Sequence, residues 1–223
     1  MRIVGLSGSI ATGKSTVTTL LRQRKVVVID CDEIAKQVVA KGQWGYRRVV
    51  AAFGTGILTG EGEVDREKLG RLVFADREAR VKLNTATHLP VGVAILQRVL
   101  WHWLTCCWLV VIDMPLLFET GAYHLTSPRV LVACDNDIQV ERLVKRDRCS
   151  REEAEAKIRA QMPLEAKRQL ADYVIDNSGT LPQLHSQVFA MLKSISSGAV
   201  WQGMVSSPLS LTLLLGMLWR VWK

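Results

Sequence analysis

Five short runs of the chain are apolar with few interruptions: residues 2–7, 26–30, 109–113, 129–134 and 173–176. They are rich in Val, Ile and Leu and do not alternate with polar positions, the pattern of strands covered on both faces. Helical periodicity separates them, which predicts crossover connections, a five-stranded parallel sheet and a three-layer α/β fold. The connections are unequal. Between Asp30 and Leu109 lie 78 residues, far more than one crossover helix needs. That segment is expected to hold several helices, over residues 32–40, 65–74 and 90–104. A turn-rich break at residues 54–62 separates them, with glycine at four of nine positions. Trp101, Trp103 and Trp108 lie in the apolar stretch entering the third strand, a setting that favours core or helix-packing use over base stacking.

Two later segments break this pattern. Residues 141–168 carry nine basic and six acidic side chains and few large apolar ones. Ser150 with Glu153 three positions on reads as a capping box, so a helix is expected to begin there. A helical hairpin this polar is expected to add little to a core. It reads either as a mobile flap or as a solvated pair of helices laced by i,i+4 ion pairs. After Lys193 no charge occurs until Arg220, a gap of 26 residues. Its strongest part, residues 209–219, is eleven residues long, against the roughly 20 that a bilayer-spanning helix needs. With Trp201, Trp219, Trp222, Arg220 and Lys223 around it, the tail reads as an interfacial membrane anchor or as a helix packed on the domain.

Composition narrows the class. The 48% hydrophobic and 22% charged content excludes a wholly disordered chain. A formal charge of +8 favours phosphate-rich ligands, but it is diffuse, so nucleic acid is not an expected partner. Cysteines 31, 106, 107, 134 and 149 form no metal-ligand spacing and are odd in number, which fits a reducing compartment and a cytoplasmic location. The opening residues read as a strand rather than a secretory signal.

The chemistry begins at Gly8-Ser9-Ile10-Ala11-Thr12-Gly13-Lys14-Ser15, which satisfies G-x-x-x-x-G-K-[ST] between a predicted strand and an amphipathic helix. The glycines allow successive amides to converge on a β-phosphate at the positive end of the helix, which Thr16 continues. Lys14 is expected to reach the β- and γ-phosphates of ATP, and the Ser15 hydroxyl to ligate Mg²⁺. Asp113 ends an apolar strand, either as a second Mg²⁺-holding acid or as a strand cap. Arg142 and Arg146, four apart on one helix, suit closure over phosphates, although one of them could simply pair with Glu141 or Asp147.

The loop alone does not choose among nucleotide-using classes. An N-K-x-D base-reading motif is absent, which argues against Ras-type GTPases. A small-metabolite kinase needs a carboxylate near the second strand to deprotonate its acceptor, and Asp30-Cys31-Asp32 stands there, at the sheet's carboxyl edge. Asp30 is expected to finish the strand, and Asp32 to be the base or the cap of the next helix.

These residues resemble the dephospho-CoA kinase family. The likeness rests on Gly5-Leu6-Ser7-Gly8 leading to Lys14-Ser15-Thr16, on Val28-Ile29-Asp30-Cys31-Asp32, and on Asp113-Met114-Pro115-Leu116-Leu117-Phe118-Glu119. Residues 161–167 and Asp172-Tyr173-Val174-Ile175-Asp176-Asn177 extend it to cover about residues 1–195. The resemblance implies a P-loop kinase fold with a helical substrate-binding insert near residues 32–105 and a helical lid near 142–170, in a body of residues 1–196 followed by the tail. It implies ATP- and Mg²⁺-dependent phosphorylation of the 3′-hydroxyl of dephospho-CoA. Asp32 would be the base, Ser7 would lie beside the reacting groups, Pro115, Leu116 and Leu117 would line the acceptor site, and Arg142 and Arg146 would serve the lid. His88 resembles a family histidine of a His-Pro pair, but here Leu89 intervenes. Another small-metabolite or nucleoside monophosphate kinase is the nearest alternative, and a nucleotide-binding membrane adaptor a more distant one.

Overall fold

The computed structural model describes residues 1–205, with side chains to residue 196; the apolar stretch at 209–219 and the anchor reading of the tail lie outside the described residues. In chain order the elements are β1 (Arg2–Gly8), α1 (Lys14–Gln23), β2 (Val27–Asp30), α2 (Cys31–Val38), α3 (Trp44–Phe53), α4 (Arg66–Ala75) and α5 (Arg77–Leu104). They continue with β3 (Leu109–Asp113), β4 (Arg129–Ala133), α6 (Asn136–Asp147), α7 (Arg151–Arg159), α8 (Leu164–Leu170), β5 (Tyr173–Asp176) and α9 (Leu181–Val205). The chain divides into two compact units. One comprises Met1–Ile29 and the chain from His102 onward, the other Asp30–Trp101.

The first unit carries the expected all-parallel sheet, in the order β2-β3-β1-β4-β5. Its register sets Leu6 opposite Asp113 and Gly8 opposite Val132, so the end of β1 lies between β3 and β4. Alternation of side chains across the pleat divides the buried residues between two faces. On one face Val4, Leu6, Val130 and Val132 meet Val17 and Leu21 of α1 and Leu184, Val188, Met191 and Ile195 of α9. Each such side chain contributes about 1.5–3 kcal/mol on leaving water, so α1 and α9 are integral to the sheet. On the other face Leu131 packs with Leu117 and Phe118, and Leu164 and Leu170 of α8 close over them. Helix-covered faces on both sides explain why the strands read as unbroken apolar runs.

The hairpin of α6 and α7 departs from expectation. Val140, Leu143 and Ala154 are buried together, against Ile10 and Ala11 of the loop after β1. Its apolar residues are few but share one side, so they form a small core of their own. The capping box is present as predicted, Ser150 accepting from the Glu153 amide and Glu153 from the Ser150 amide. No helix among the described residues is long and apolar enough to cross a membrane.

The second unit is helical, with Val49, Ile57, Leu69 and Ala86 at its centre. The helix predicted from Pro90 starts instead at Arg77 and runs through the proline. Proline inside a helix removes one amide donor and orphans the carbonyl four residues back. Here that carbonyl belongs to Ala86, and the Arg48 guanidinium donates to it at 2.9 Å and to the Thr85 carbonyl at 3.2 Å. The substitute donors let the helix continue. The tryptophans are also placed differently. Trp101 and Trp108 are exposed and Trp103 is half-buried.

Candidate active site

The loop between β1 and α1 is shaped by its own side chains before any ligand binds. Gly13 takes φ 85° as the cap of α1. The Thr12 hydroxyl donates to the Ser9 carbonyl at 2.9 Å, drawing the loop into a tight turn. A Cβ at Gly8 would sit 2.8 Å from the Thr12 hydroxyl and 3.1 Å from the Val132 carbonyl, so only glycine fits there. The Thr16 amide closes on the Gly13 carbonyl at 3.0 Å, and the loop meets α1 at the positive end of its helix dipole.

Two groups of residues hold this loop. Lys14 Nζ pairs with Asp113 Oδ1, while Thr18 Oγ1 donates to Asp113 Oδ2 at 3.0 Å. The register of β1 on β3 delivers Asp113 to this point, so the acid at the strand end is a partner of the loop lysine. From the other side Asn177, directly after β5, donates its Nδ2 to the Thr12 carbonyl at 2.8 Å. Its backbone carbonyl accepts from Arg142 Nη2 at 3.0 Å. Arg142 Nη1 is buried without a hydrogen-bond partner, 3.8 Å from the point where a Cβ on Gly13 would lie. An orphaned buried guanidinium N–H is costly unless an anion completes it. Of the two arginines four apart on α6, Arg142 is the one that lies beside the loop.

Arg146 is not brought in. It is exposed and donates to Asp147 at 2.8 Å, one of the two pairings left open in the sequence, and Lys157 reaches the same carboxylate at 2.7 Å. The Arg146 hydrogen bond first, then that of Lys157, holds the Asp147 carboxyl down at about 2. A carboxylate with a depressed native pKa stabilises above its unfolded value and loses that contribution as pH falls through the native one. The cross-link between α6 and α7 should therefore be complete above about pH 4 and vanish toward pH 2. Acid unfolding of the protein and of Asp147→Asn should differ above that window and converge below it. Parallel curves throughout would show that the pair contributes nothing.

Three further residues touch the loop that the sequence reading named without a role or did not name. Gln139 donates to the Ile10 carbonyl at 2.7 Å, and Gln161 accepts from the Ile10 amide at 3.0 Å, so the loop tip is clipped to the root of the hairpin at both ends. Asn177 is the third. The position of Asn177, just beyond a strand at the carboxyl edge, was its only local signal.

The remaining candidates are distributed as follows. Ser7 is buried and its hydroxyl donates to the Pro115 carbonyl at 2.8 Å. Leu116 is exposed, whereas Leu117 is fully buried and anchors the segment rather than lining a surface. Ser15 is exposed in the first turn of α1. In the second unit Asp30 caps α2, accepting from the amides of Asp32 and Glu33, so the cap considered for Asp32 belongs to Asp30. Asp32 is exposed on the first turn and lines a cavity of about 370 Å³ with Lys36, Val39, Arg66 and Leu69. His88 is exposed in the middle of α5, where the continuous helix removes the junction expected there.

The family model for dephospho-CoA kinase matches residues 2–183. The chain belongs to the dephospho-CoA kinase family. A dephospho-CoA kinase of Oryza sativa subsp. japonica is 41% identical over 202 residues, covering 91% of this chain and 88% of that protein. One from Geobacillus kaustophilus is 45% identical over 190 residues, covering 85% and 94%. Among solved structures, dephospho-CoA kinase from Campylobacter jejuni superposes with a TM-score of 0.69 at 26% identity, covering 89% of this chain and 99% of that one. The matched span of the family model contains every residue that shapes the loop, from Gly8 to Asn177.

Proposed function

We propose that this chain transfers the γ-phosphoryl group of ATP to the 3′-hydroxyl of dephospho-CoA, giving coenzyme A. The observation that carries the reading beyond family membership is the buried Arg142 Nη1, lacking a partner beside an already formed phosphate loop. Phosphoryl transfer demands little covalent chemistry of a protein and much positioning of charge, which is what this arrangement supplies.

In this reading the amides of the 8–16 loop that are not already engaged, as those of Ile10, Thr12 and Thr16 are, hold the β-phosphate. Lys14 turns from Asp113 to the transferring group, and Arg142 meets the phosphate charge that builds on it. Arg146 would have to leave Asp147 to join them. Asp32 accepts the proton of the ribose hydroxyl. Ser7 holds the segment at Pro115, leaving Leu116 facing the acceptor. Mg²⁺ fits the oxygen donors present. A Ser15 hydroxyl and one Asp113 carboxylate suit a hard cation that takes its other ligands from phosphates and water. No cluster of three or more His, Cys, Asp or Glu side chains among the described residues competes as an all-protein metal site. When bound, the ion would screen the triphosphate charge and leave the protein groups to orient it.

An acceptor screen with ATP tests the reading. Dephospho-CoA should be phosphorylated with kcat/KM at least about 10²-fold above any nucleoside or nucleoside monophosphate. A nucleoside monophosphate as the preferred acceptor would overturn it in favour of the nearest alternative, and ATP binding without transfer to any acceptor would point to an adaptor.

A further inference from the structure

Lys167 is the one charged side chain of the described residues among the largest that are fully buried. It occupies the centre of the apolar stripe of α8, three residues from Leu164 and three from Leu170, a position that helical periodicity would give to leucine or methionine. Its Nζ lies 2.6 Å from Glu119 Oε1. Burying the Lys167 ammonium where an apolar side chain of similar volume would pack equally well is poor economy for stability alone, because its desolvation offsets much of the attraction to a Glu119 carboxylate that stays partly in water. What such a pair provides is a fixed register between the two elements that carry it.

Those elements lead to the two halves of the reaction. Glu119 ends the segment 114–119, whose other end is tied to β1: the Met114 amide donates to the Leu6 carbonyl at 3.0 Å and Ser7 to the Pro115 carbonyl. The Leu117 side chain sits over Gly5, where a Cβ would come within 2.7 Å of it. Lys167 rides on α8, which follows Gln161, the residue that accepts from the Ile10 amide of the phosphate loop. The ion pair thus closes a ring of connections from loop to β1, along segment 114–119, through α8 and back to the loop.

We propose that Lys167 and Glu119 are a positioning pair that fixes segment 114–119, and with it the acceptor, against the nucleotide loop. This rests on the kinase reading above, in which that segment faces the acceptor. Neither residue touches the reacting atoms.

The test compares Lys167→Met, Glu119→Gln and the double variant Lys167→Met/Glu119→Gln. Glu119→Gln leaves the buried Lys167 charge uncompensated and should melt at clearly lower temperature, whereas Lys167→Met leaves a Glu119 carboxylate that water still reaches and should lose less. The double variant removes both charges and should regain most of the lost Tm. If the pair positions the segment, the double variant should still show kcat/KM for dephospho-CoA reduced between about 10- and 10²-fold, with ATP affinity held within about twofold. Amide exchange at residues 114–120 should quicken by about tenfold in the double variant while the amides of residues 8–16 are unchanged. Recovery of Tm, acceptor kinetics and exchange together would overturn the proposal and leave a packing pair. Loss of ATP affinity in step with acceptor kinetics would overturn it too. Should the unaltered protein not phosphorylate dephospho-CoA, the kinase reading fails on its own, and the exchange result still decides whether the pair fixes the segment.

Discussion

Gly13→Ala will lower the affinity for ATP by at least about 10²-fold while the folded core survives. Two costs arise at this position. An L-residue at φ 85° loses about 1–2 kcal/mol relative to glycine. The added Cβ would also fall 2.1 Å from Asn177 Nδ2 and 3.3 Å from its Cγ. Asn177 has no room to yield, since its amide group holds the Thr12 carbonyl and its backbone carbonyl holds Arg142. Either Asn177 retreats and releases both, or the peptide at position 13 rotates and turns its amide from the phosphate. Either way a charge-assisted hydrogen bond at about 1.5–3 kcal/mol is lost, from Arg142 or from the loop amide to the phosphate, and with the backbone strain this accounts for the predicted fall. Calorimetric titration with ATP reads it directly. Gly42→Ala is the control, with φ 87° and nothing within 4 Å of the new Cβ, and it should reduce stability slightly and leave ATP affinity alone. Equal ATP affinity in Gly13→Ala and the unaltered protein would mean that the strut from Asn177 does not shape the loop.

The strands were legible because burial on both faces leaves an unbroken apolar signature. β3 and β5 fall on the expected residues, and the others differ by one residue at an end. The phosphate loop was legible because its chemistry is local: eight consecutive residues supply the turn, the amides and the lysine. The capping box of α7 was legible for the same reason, its two partners standing three residues apart. Asp113 could be read as the acid at a strand end. That it meets Lys14 and Thr18, 99 and 95 residues away in sequence, depends on the register of β1 against β3, which no local pattern states.

The same distinction explains what was missed. Pro90 signals a helix start wherever nothing else satisfies the orphaned carbonyl, and the satisfying group, Arg48, lies 38 residues from Ala86. The polar hairpin looked coreless because its buried residues are only a few, and two of the five side chains packed on them, Ile10 and Ala11, belong to the distant loop. Gln139 and Gln161 act through side-chain amides on backbone atoms more than 120 residues away. An uncharged glutamine on a polar helix carries no signature of such a role. In the D-x-D pair Asp30 was expected only to finish the strand and Asp32 to be the base or the cap, but the cap fell to the carboxylate within reach of the first free amides of α2. Asp30, still extended at φ −86° and ψ 112°, meets that condition.

That assignment sharpens the second large prediction, that Asp32→Asn will reduce turnover with dephospho-CoA by about 10²- to 10⁴-fold, the span of general-base assistance. A ribose hydroxyl is a weak nucleophile at neutral pH, and a carboxylate that accepts its proton as the P–O bond forms lowers the barrier. Asparagine keeps the shape and one acceptor oxygen but removes the basic site and the charge. The fold should be indifferent, because Asp32 is exposed and the cap of α2 is Asp30. ATP affinity should be unchanged, since the amides and lysine of residues 8–15 remain. Asp30→Asn gives the contrast. Asparagine caps helices about as well as aspartate, so stability and turnover should both stay near their original values, whereas Asp30→Ala should cost about 1 kcal/mol of stability. Steady-state kinetics with calorimetric ATP binding on the three variants separates the two roles. Near-normal turnover in Asp32→Asn, or an equal loss in Asp30→Asn, would remove Asp32 from the chemistry and leave the base to be sought among other groups of the chain.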